Sequence, residues 1–128
     1  SLLANIYFTR KDYKNAAIEA KTTAASFAGA GINDGAVGMY MLVADCYLSQ
    51  KQRALGLKEL DTFGDSINYT SLSKMRIKTD FGARSRANNT LHIYQNLADW
   101  FKSRNATALA HKYSAKATEL RTYIKESE

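Results

Sequence analysis

One stretch near the start of the chain decides the fold, because it joins two helical patterns through a short polar break. Leu3, Ala4 and Tyr7 lie on one face of a predicted helix, since residues three and four positions apart are neighbours on a helix surface. A small residue, Ala16, follows nine positions after the tyrosine and permits a second, antiparallel helix to approach closely. The stretch therefore predicts a helix–turn–helix pair, and it reads Leu3-Ala4-Asn5-Ile6-Tyr7-Phe8-Thr9-Arg10-Lys11-Asp12-Tyr13-Lys14-Asn15-Ala16-Ala17-Ile18-Glu19.

The same pattern returns twice without gaps, which predicts two further helix pairs. Internal repetition on this scale is typical of helical arrays, in which each unit buries its apolar face against its neighbours. The two later windows are Val43-Ala44-x-x-Tyr47 followed by Gly56, and Leu97-Ala98-x-x-Phe101 followed by Ala110; Tyr40 and Tyr94 precede them by three residues. Polar stretches suited to tight turns follow the aromatic residue in the first two windows, namely Thr9-Arg10-Lys11-Asp12 and Ser49-Gln50-Lys51-Gln52.

These windows resemble the tetratricopeptide repeat (TPR) family, whose repeat is a helix–turn–helix pair. The resemblance implies an all-α fold, a right-handed α–α superhelix of about three TPR-like helix pairs. Two features depart from the family pattern: the chain has no proline, and the intervals from Leu3 to Val43 to Leu97 exceed the usual 34-residue period. An extra or lengthened helix around residues 66–90 would account for the second interval.

Composition supports a helical chain. The 128 residues are 45% hydrophobic and contain no proline, a residue that breaks helix interiors. We therefore expect six or seven helices, no sheet, and a single TPR-like repeat domain over residues 1–128. The apolar pattern begins at once with Leu2 and Leu3, which suggests a fragment of a longer protein.

Three local predictions complete the expected architecture. The glycine-rich stretch 28–35 is predicted to be a turn between helix pairs, with Asp34 as the N-cap of the next helix. Leu72, Met75 and Thr79 share a helical stripe and predict a helix in the inserted segment, which leads into the helix that carries Tyr94 and Leu97. The last helix is expected to run from Thr107 to about Ile124.

The sequence offers no catalytic, cofactor-binding or metal-binding residues, so we expect no enzyme. His92 and His111 lack an acidic or cysteine residue at the i+3 or i+4 spacing that a metal site on a helix requires. The single cysteine, Cys46, has Asp45 and Tyr47 beside it and no neighbouring cation to lower its pKa, so a buried structural role is expected. A chain with one cysteine fits a reducing compartment, and we expect a cytoplasmic location.

The net charge of +6 is concentrated in the second half of the chain. Residues 74–86 carry five basic residues against one acidic residue, Asp80. A solvated helix face is one interpretation, and contact with an acidic partner or a nucleic acid is the other. Only Phe81 could stack on an unpaired base there, which disfavours RNA. The basic residues are Lys74, Arg76, Lys78, Arg84 and Arg86.

The leading functional hypothesis is a protein–protein interaction module, a TPR-like scaffold with a concave groove for a peptide or helix, in a bacterial regulatory or signalling protein such as a sensor or transcription factor. A nucleic-acid-contacting regulatory domain that uses residues 74–86 is the alternative. By resemblance to the family, the first helix of each pair lines the groove. The implied partner-binding residues are Asn5, Phe8, Thr9, Met41, Asp45, Leu48, Ser49, Gln95, Asp99 and Lys102.

Two further expectations concern partners. The carboxylate clamp of the chaperone-binding branch of the family is predicted to be absent, because only Asn5 matches its Lys-and-Asn pattern. The apolar residues at the start of the chain predict self-association through the N-terminal helix or its coverage by another segment. No membrane partner is expected, since the longest apolar run, residues 36–44, is about half of what a membrane span needs.

Overall fold

The structure, a computed structural model, describes residues 1–69 and 73–128, and over these residues the protein is all-α. The expectation of six or seven helices without a sheet is confirmed for this part of the chain. The helices are α1 (Leu2–Thr9), α2 (Tyr13–Gly29), α3 (Asn33–Ser49), α4 (Arg53–Ser66), α5 (Lys74–Thr79), α6 (Phe81–Ser103) and α7 (Thr107–Glu126). Each of the three repeat windows lies on two consecutive helices joined by a short turn.

The chain divides into two compact units, Ser1–Phe63 and Gly64–Glu128, with the boundary inside α4. In the first unit, α2 packs against both α1 and α3. Its core consists largely of small residues, which lets the helices approach closely. One cluster joins Ala4, Ala20 and Val43, and a second joins Ala16, Ala17 and Cys46.

The close contact predicted from the second window is present between α3 and α4. A Cβ atom added at Gly56 would lie 2.8 Å from the carbonyl oxygen of Ala44 and 3.1 Å from Cβ of Tyr47. Tyr40 stacks on Phe63 of α4, with 4.7 Å between the ring centroids. Gly56 thus allows the backbones of α3 and α4 to come into contact. The stacked pair of Tyr40 and Phe63 packs the same two helices together seven residues further along α4.

Four helices, α1, α2, α3 and α6, end in turns of the same geometry. In the three repeat windows this turn follows the aromatic residue at the same spacing. In each of the four turns, the residue after the C-cap adopts a left-handed φ between 61° and 77°, and the next backbone N–H donates to the carbonyl five residues earlier at 2.8 to 2.9 Å. This is the Schellman motif. The left-handed residues are Lys11, Gly31, Lys51 and Asn105, and the accepting carbonyls belong to the aromatic residues Tyr7, Phe27, Tyr47 and Phe101.

The second unit is built on the pair α6 and α7. Phe101 stacks on Tyr113 at 5.6 Å between centroids, and both side chains are fully buried with Leu97 and Leu120. At Gly64 an added Cβ would collide with the Tyr113 hydroxyl, so the end of α4 also packs against α7. The inserted segment holds a short helix, α5, and α6 starts well before the third window, in agreement with an extra or lengthened helix around residues 66–90.

One local prediction is wrong. The N-cap of α3 is Ile32, and Asp34 lies in the first turn, because the left-handed turn at Gly31 is followed at once by the cap and α3 begins at Asn33. The helix predicted in the inserted segment is present at Met75 and Thr79 as α5. Its inward face carries Ile77, which clusters with Ala83 and Ala87, whereas Met75 and Thr79 are exposed. Leu72, the remaining member of the predicted stripe, lies outside the described residues. The last helix begins at Thr107 as predicted and continues to Glu126.

Candidate functional site

In α1, two of the three predicted partner-binding residues are exposed. Asn5 donates from Nδ2 to the carbonyl of Ser1 at 3.0 Å, and Thr9 lies in the last turn of the helix. Phe8 is half-buried and meets Tyr13 edge-on at 5.4 Å between centroids. Phe8 therefore contributes to the packing between α1 and α2, and only part of its ring is available to a partner.

The four predicted residues of α3 lie mostly at the edge of the core. Met41, Asp45 and Leu48 are half-buried, and Ser49 is exposed in the last turn. The neighbouring Cys46 is fully buried, as expected, and burial together with the nearby Asp45 carboxylate raises the pKa of its thiol to about 11. A thiol with so high a pKa is a poor nucleophile at neutral pH, which fits a structural role.

In α6, two predicted residues come together in a groove against α7. Gln95 and Asp99 line a cavity of about 330 Å³, whereas Lys102 lies beyond it on the exposed surface. The opposite wall belongs to α7 and adds hydroxyl groups and a guanidinium. The remaining lining residues are Asn96, Ala98, Ser114, Ala117, Thr118 and Arg121.

The chemistry of this groove, which we name the α6–α7 groove, suits recognition of a peptide main chain. The amides of Gln95 and Asn96 each donate and accept hydrogen bonds, as a backbone peptide group does. Asp99 and Arg121 place one negative and one positive charge in the same cavity, so charged side chains or a terminus of a peptide could pair there. The lining is mostly polar, unlike the predominantly apolar pockets that are typical of small-molecule sites.

Of the five basic residues in the segment 74–86, three form ion pairs or hydrogen bonds with other groups of the chain. Lys74 pairs with Glu126 and lies over the Tyr123 ring, and Arg76 pairs with Asp80 at 3.4 Å. The guanidinium of Arg84 donates to the last carbonyls of α5, those of residues 77 and 78, at 3.2 and 3.3 Å. Lys78 and Arg86 are exposed and form no ion pair within residues 1–69 and 73–128.

No metal site is found among the residues that the structure describes, since no three His, Cys, Asp or Glu side chains cluster there. His92 and His111 lie exposed on α6 and α7. Among the same residues no helix is long and apolar enough to cross a membrane.

The sequence analysis missed a second polar cavity of about 330 Å³ in the second unit. Its floor holds Tyr94, whose hydroxyl donates to the Ile67 carbonyl at 3.1 Å, and burial raises the Tyr94 pKa. Asp65 at its edge pairs with Lys112 at 2.8 Å and with Lys116 at 3.5 Å, and the hydrogen bond from Lys112 is the main cause of its lowered pKa. The i, i+4 spacing of the two lysines was the available sequence signal, because it places both ammonium groups on one face of α7.

Comparison with known proteins gives no relative. No protein-family model matches the chain, and no curated protein or solved structure is significantly similar to it. No relative therefore assigns a role to any residue, and the roles proposed below rest on the sequence windows and the geometry of this chain.

Proposed function

We propose that the chain is a TPR-like helical-repeat scaffold that binds another protein, with the first helix of each pair contributing to a concave, right-handed binding surface. The observation that carries the proposal is the shared turn at the end of α1, α3 and α6. Tyr7, Tyr47 and Phe101 occupy the same position in that turn, so the three sequence windows are in the same structural register.

The packing of the windows supports the same proposal. Ala16, Gly56 and Ala110 occupy equivalent positions nine residues after the aromatic residue, and all three are buried. A small residue at this position lets the second helix of a pair lie against the first, as Gly56 does against Ala44. Repeats of this kind contact only their neighbours, which leaves an exposed surface on each first helix for a partner.

The α6–α7 groove is the part of this surface that we expect to contact a partner most directly. Gln95 and Asp99, which the family resemblance implies as partner-binding residues, line this groove together with Arg121 from the second helix of the pair. The combination of amides, hydroxyls and one charge of each sign favours an extended peptide or a polar helix face over a small apolar ligand.

Site-specific photo-crosslinking in cells that express the intact protein tests the proposal. A benzophenone side chain at position 99 should crosslink a specific protein, and the same group at the exposed Lys58 of α4 should not. The double variant Gln95→Ala/Arg121→Ala should abolish that crosslink while the melting temperature changes little. Equal crosslinking from both positions, or a crosslink that survives the double variant, would contradict the assignment of this groove.

An experimental structure tests the fold that the proposal assumes. The helix pairs α1/α2, α3/α4 and α6/α7 should superimpose on one another through their turns and follow one another with a right-handed rotation. A left-handed or irregular succession of the pairs would overturn the TPR-like assignment.

A further inference from the structure

The corner between α5 and α6, residues 74–86, exposes two large apolar side chains. Phe81 is 85% exposed and Met75 is 69% exposed, and both lie away from the α6–α7 groove described above. Along the chain, four helical steps and two extended steps separate them, so their Cα atoms lie at most roughly 13 Å apart. We name this region the α5–α6 corner.

The corner is held in an ordered shape by bonds that do not involve Met75 or Phe81. Asp80 caps α6 by accepting from the Gly82 N–H at 2.9 Å, and Arg84 reaches back from α6 to the final carbonyls of α5. Ile77 is buried against Ala83 and Ala87 beneath the surface. An anchor residue on such a frame loses little conformational freedom on binding, because its backbone is already fixed.

The charge of the corner is strongly positive. Residues 74–86 carry five basic residues against Asp80 alone, for a net charge of +4. Arg76 is paired with that carboxylate, while Lys78 and Arg86 remain exposed and unpaired over the described residues 1–69 and 73–128. Met75 and Phe81 are therefore surrounded by a positive electrostatic potential, which attracts negatively charged groups.

We propose that the α5–α6 corner is a docking surface for an acidic protein segment that carries large apolar side chains. Phe, Met and Arg are among the residue types enriched in protein–protein interfaces, and this corner exposes Phe81, Met75 and Arg86, the last unpaired among the residues that the structure describes. Apolar side chains of the partner cover Phe81 and Met75, and its carboxylates meet Lys78 and Arg86. Complementary charge of this kind speeds association and selects the partner.

Two other anionic partners fit the corner less well. A single-stranded nucleic acid uses aromatic side chains as stacking platforms, and Phe81 is the only aromatic residue in the corner. An anionic membrane attracts polybasic segments of four to eight Lys or Arg, whereas three of the five cations here already have partners inside the chain.

Selection from a displayed library of random 16-residue peptides tests the proposal with the complete chain. Phe81→Ser/Met75→Ser serves as the counter-selection target. Peptides enriched on the parent and depleted on the variant should combine Asp or Glu with Phe, Leu or Trp. Selected peptides without an acidic bias, or enrichment that is equal on the variant, would overturn the proposal.

Titration of the best peptide then separates the two contributions. Phe81→Ser should weaken binding at least tenfold, and Lys78→Gln/Arg86→Gln should weaken it several-fold and reduce its dependence on salt. Matched controls in the first unit, Leu2→Ser and Lys14→Gln/Lys58→Gln, should leave the Kd unchanged, since those residues are also exposed but lie outside the corner. Equal losses in the controls would refute a specific surface.

Two parallel probes decide between partner classes. Binding to a 20-nucleotide single-stranded RNA, or to vesicles of phosphatidylcholine and phosphatidylserine, is expected to be weaker than peptide binding and insensitive to Phe81→Ser. Tighter binding to either probe, with loss on Phe81→Ser, would assign the corner to that partner and overturn the proposal.

Discussion

Gly56 of α4 lies directly against the backbone of Ala44 of α3, so that a Cβ atom at position 56 would be 2.8 Å from the Ala44 carbonyl oxygen. Backbone oxygen cannot move aside as a flexible side chain can. The approach of these two helices therefore depends on the absence of a side chain at Gly56, although glycine is intrinsically unfavourable in a helix interior.

Replacement of Gly56 should reveal this dependence. Gly56→Ala is expected to destabilise the fold by about 1–3 kcal/mol through overpacking, despite the better helix propensity of alanine. Gly38→Ala is the matched control, because an added Cβ there meets no atom within 4 Å. The control should gain up to about 1 kcal/mol. Urea unfolding measures both, and equal effects would show that α3 and α4 are not in backbone contact.

The left-handed turns give a second prediction. Gly31 has a φ of 77° and open space around it, so Gly31→Ala should cost about 1–2 kcal/mol through backbone strain alone. The equivalent residue Lys51 has a φ of 61°, and Lys51→Gly should be neutral or stabilise by less than about 1 kcal/mol. Thermal unfolding of the two variants measures the difference. Destabilisation of both to the same extent would contradict the shared turn geometry.

The ion pairs of Asp65 predict a dependence of stability on pH. The pKa of Asp65 is lower in the folded chain than in the unfolded chain, so its contribution is present above about pH 4 and is lost as the pH falls through the folded value. The carboxylate is half-exposed, and solvent screening limits the contribution to about 0.2–1 kcal/mol.

A double-mutant cycle at pH 7 and pH 2 measures this contribution. Asp65→Asn should destabilise the protein at pH 7 and have little effect at pH 2. In a Lys112→Gln/Lys116→Gln background the effect at pH 7 should shrink. The same loss at both pH values would rule out an electrostatic origin.

The buried thiol of Cys46 predicts slow chemical modification. With a pKa of about 11, roughly one thiol in a thousand is ionised at pH 8, and the side chain is fully buried. A disulfide reagent should therefore react at least a hundredfold more slowly with the folded chain than with the chain in urea. Asp45→Asn should change the rate only slightly, because burial is the larger cause of the shift. Rapid modification of the folded parent would show that Cys46 is accessible.

The apolar surface of α1 predicts self-association. Leu2, Leu3 and Ile6 are 80%, 43% and 37% exposed on this short helix. A second copy of the chain could cover them, and exposed apolar surface of this kind favours association. Sedimentation of the parent should show concentration-dependent dimers that Leu3→Glu/Ile6→Lys removes. A parent that remains monomeric at millimolar concentration would contradict the prediction.

The sequence by itself determined where the helix pairs lie. Ala4, Ala16 and Val43 are buried as their spacing requires, and the polar stretches after Thr9 and Ser49 form the predicted turns. These features are local, because a helical period and a left-handed residue act over fewer than about ten residues. The same local reasoning failed at Asp34. Its capping preference predicts an N-cap at that residue, but the N-cap of α3 is Ile32, two residues earlier.

The tertiary structure alone decided which polar groups meet. Gln95 and Asp99 of α6 line one groove with Arg121 because α7 packs antiparallel against α6. Asp65 forms an ion pair with Lys112, which lies 47 residues later in the sequence. Hydrophobic periodicity indicates that a helix has an apolar face. It does not indicate which neighbouring helix covers that face, or which turns of the two helices are in contact. For that reason Ile77 faces inward on α5 in place of Met75. Contacts between distant segments are fixed only when the side chains of all the helices pack together.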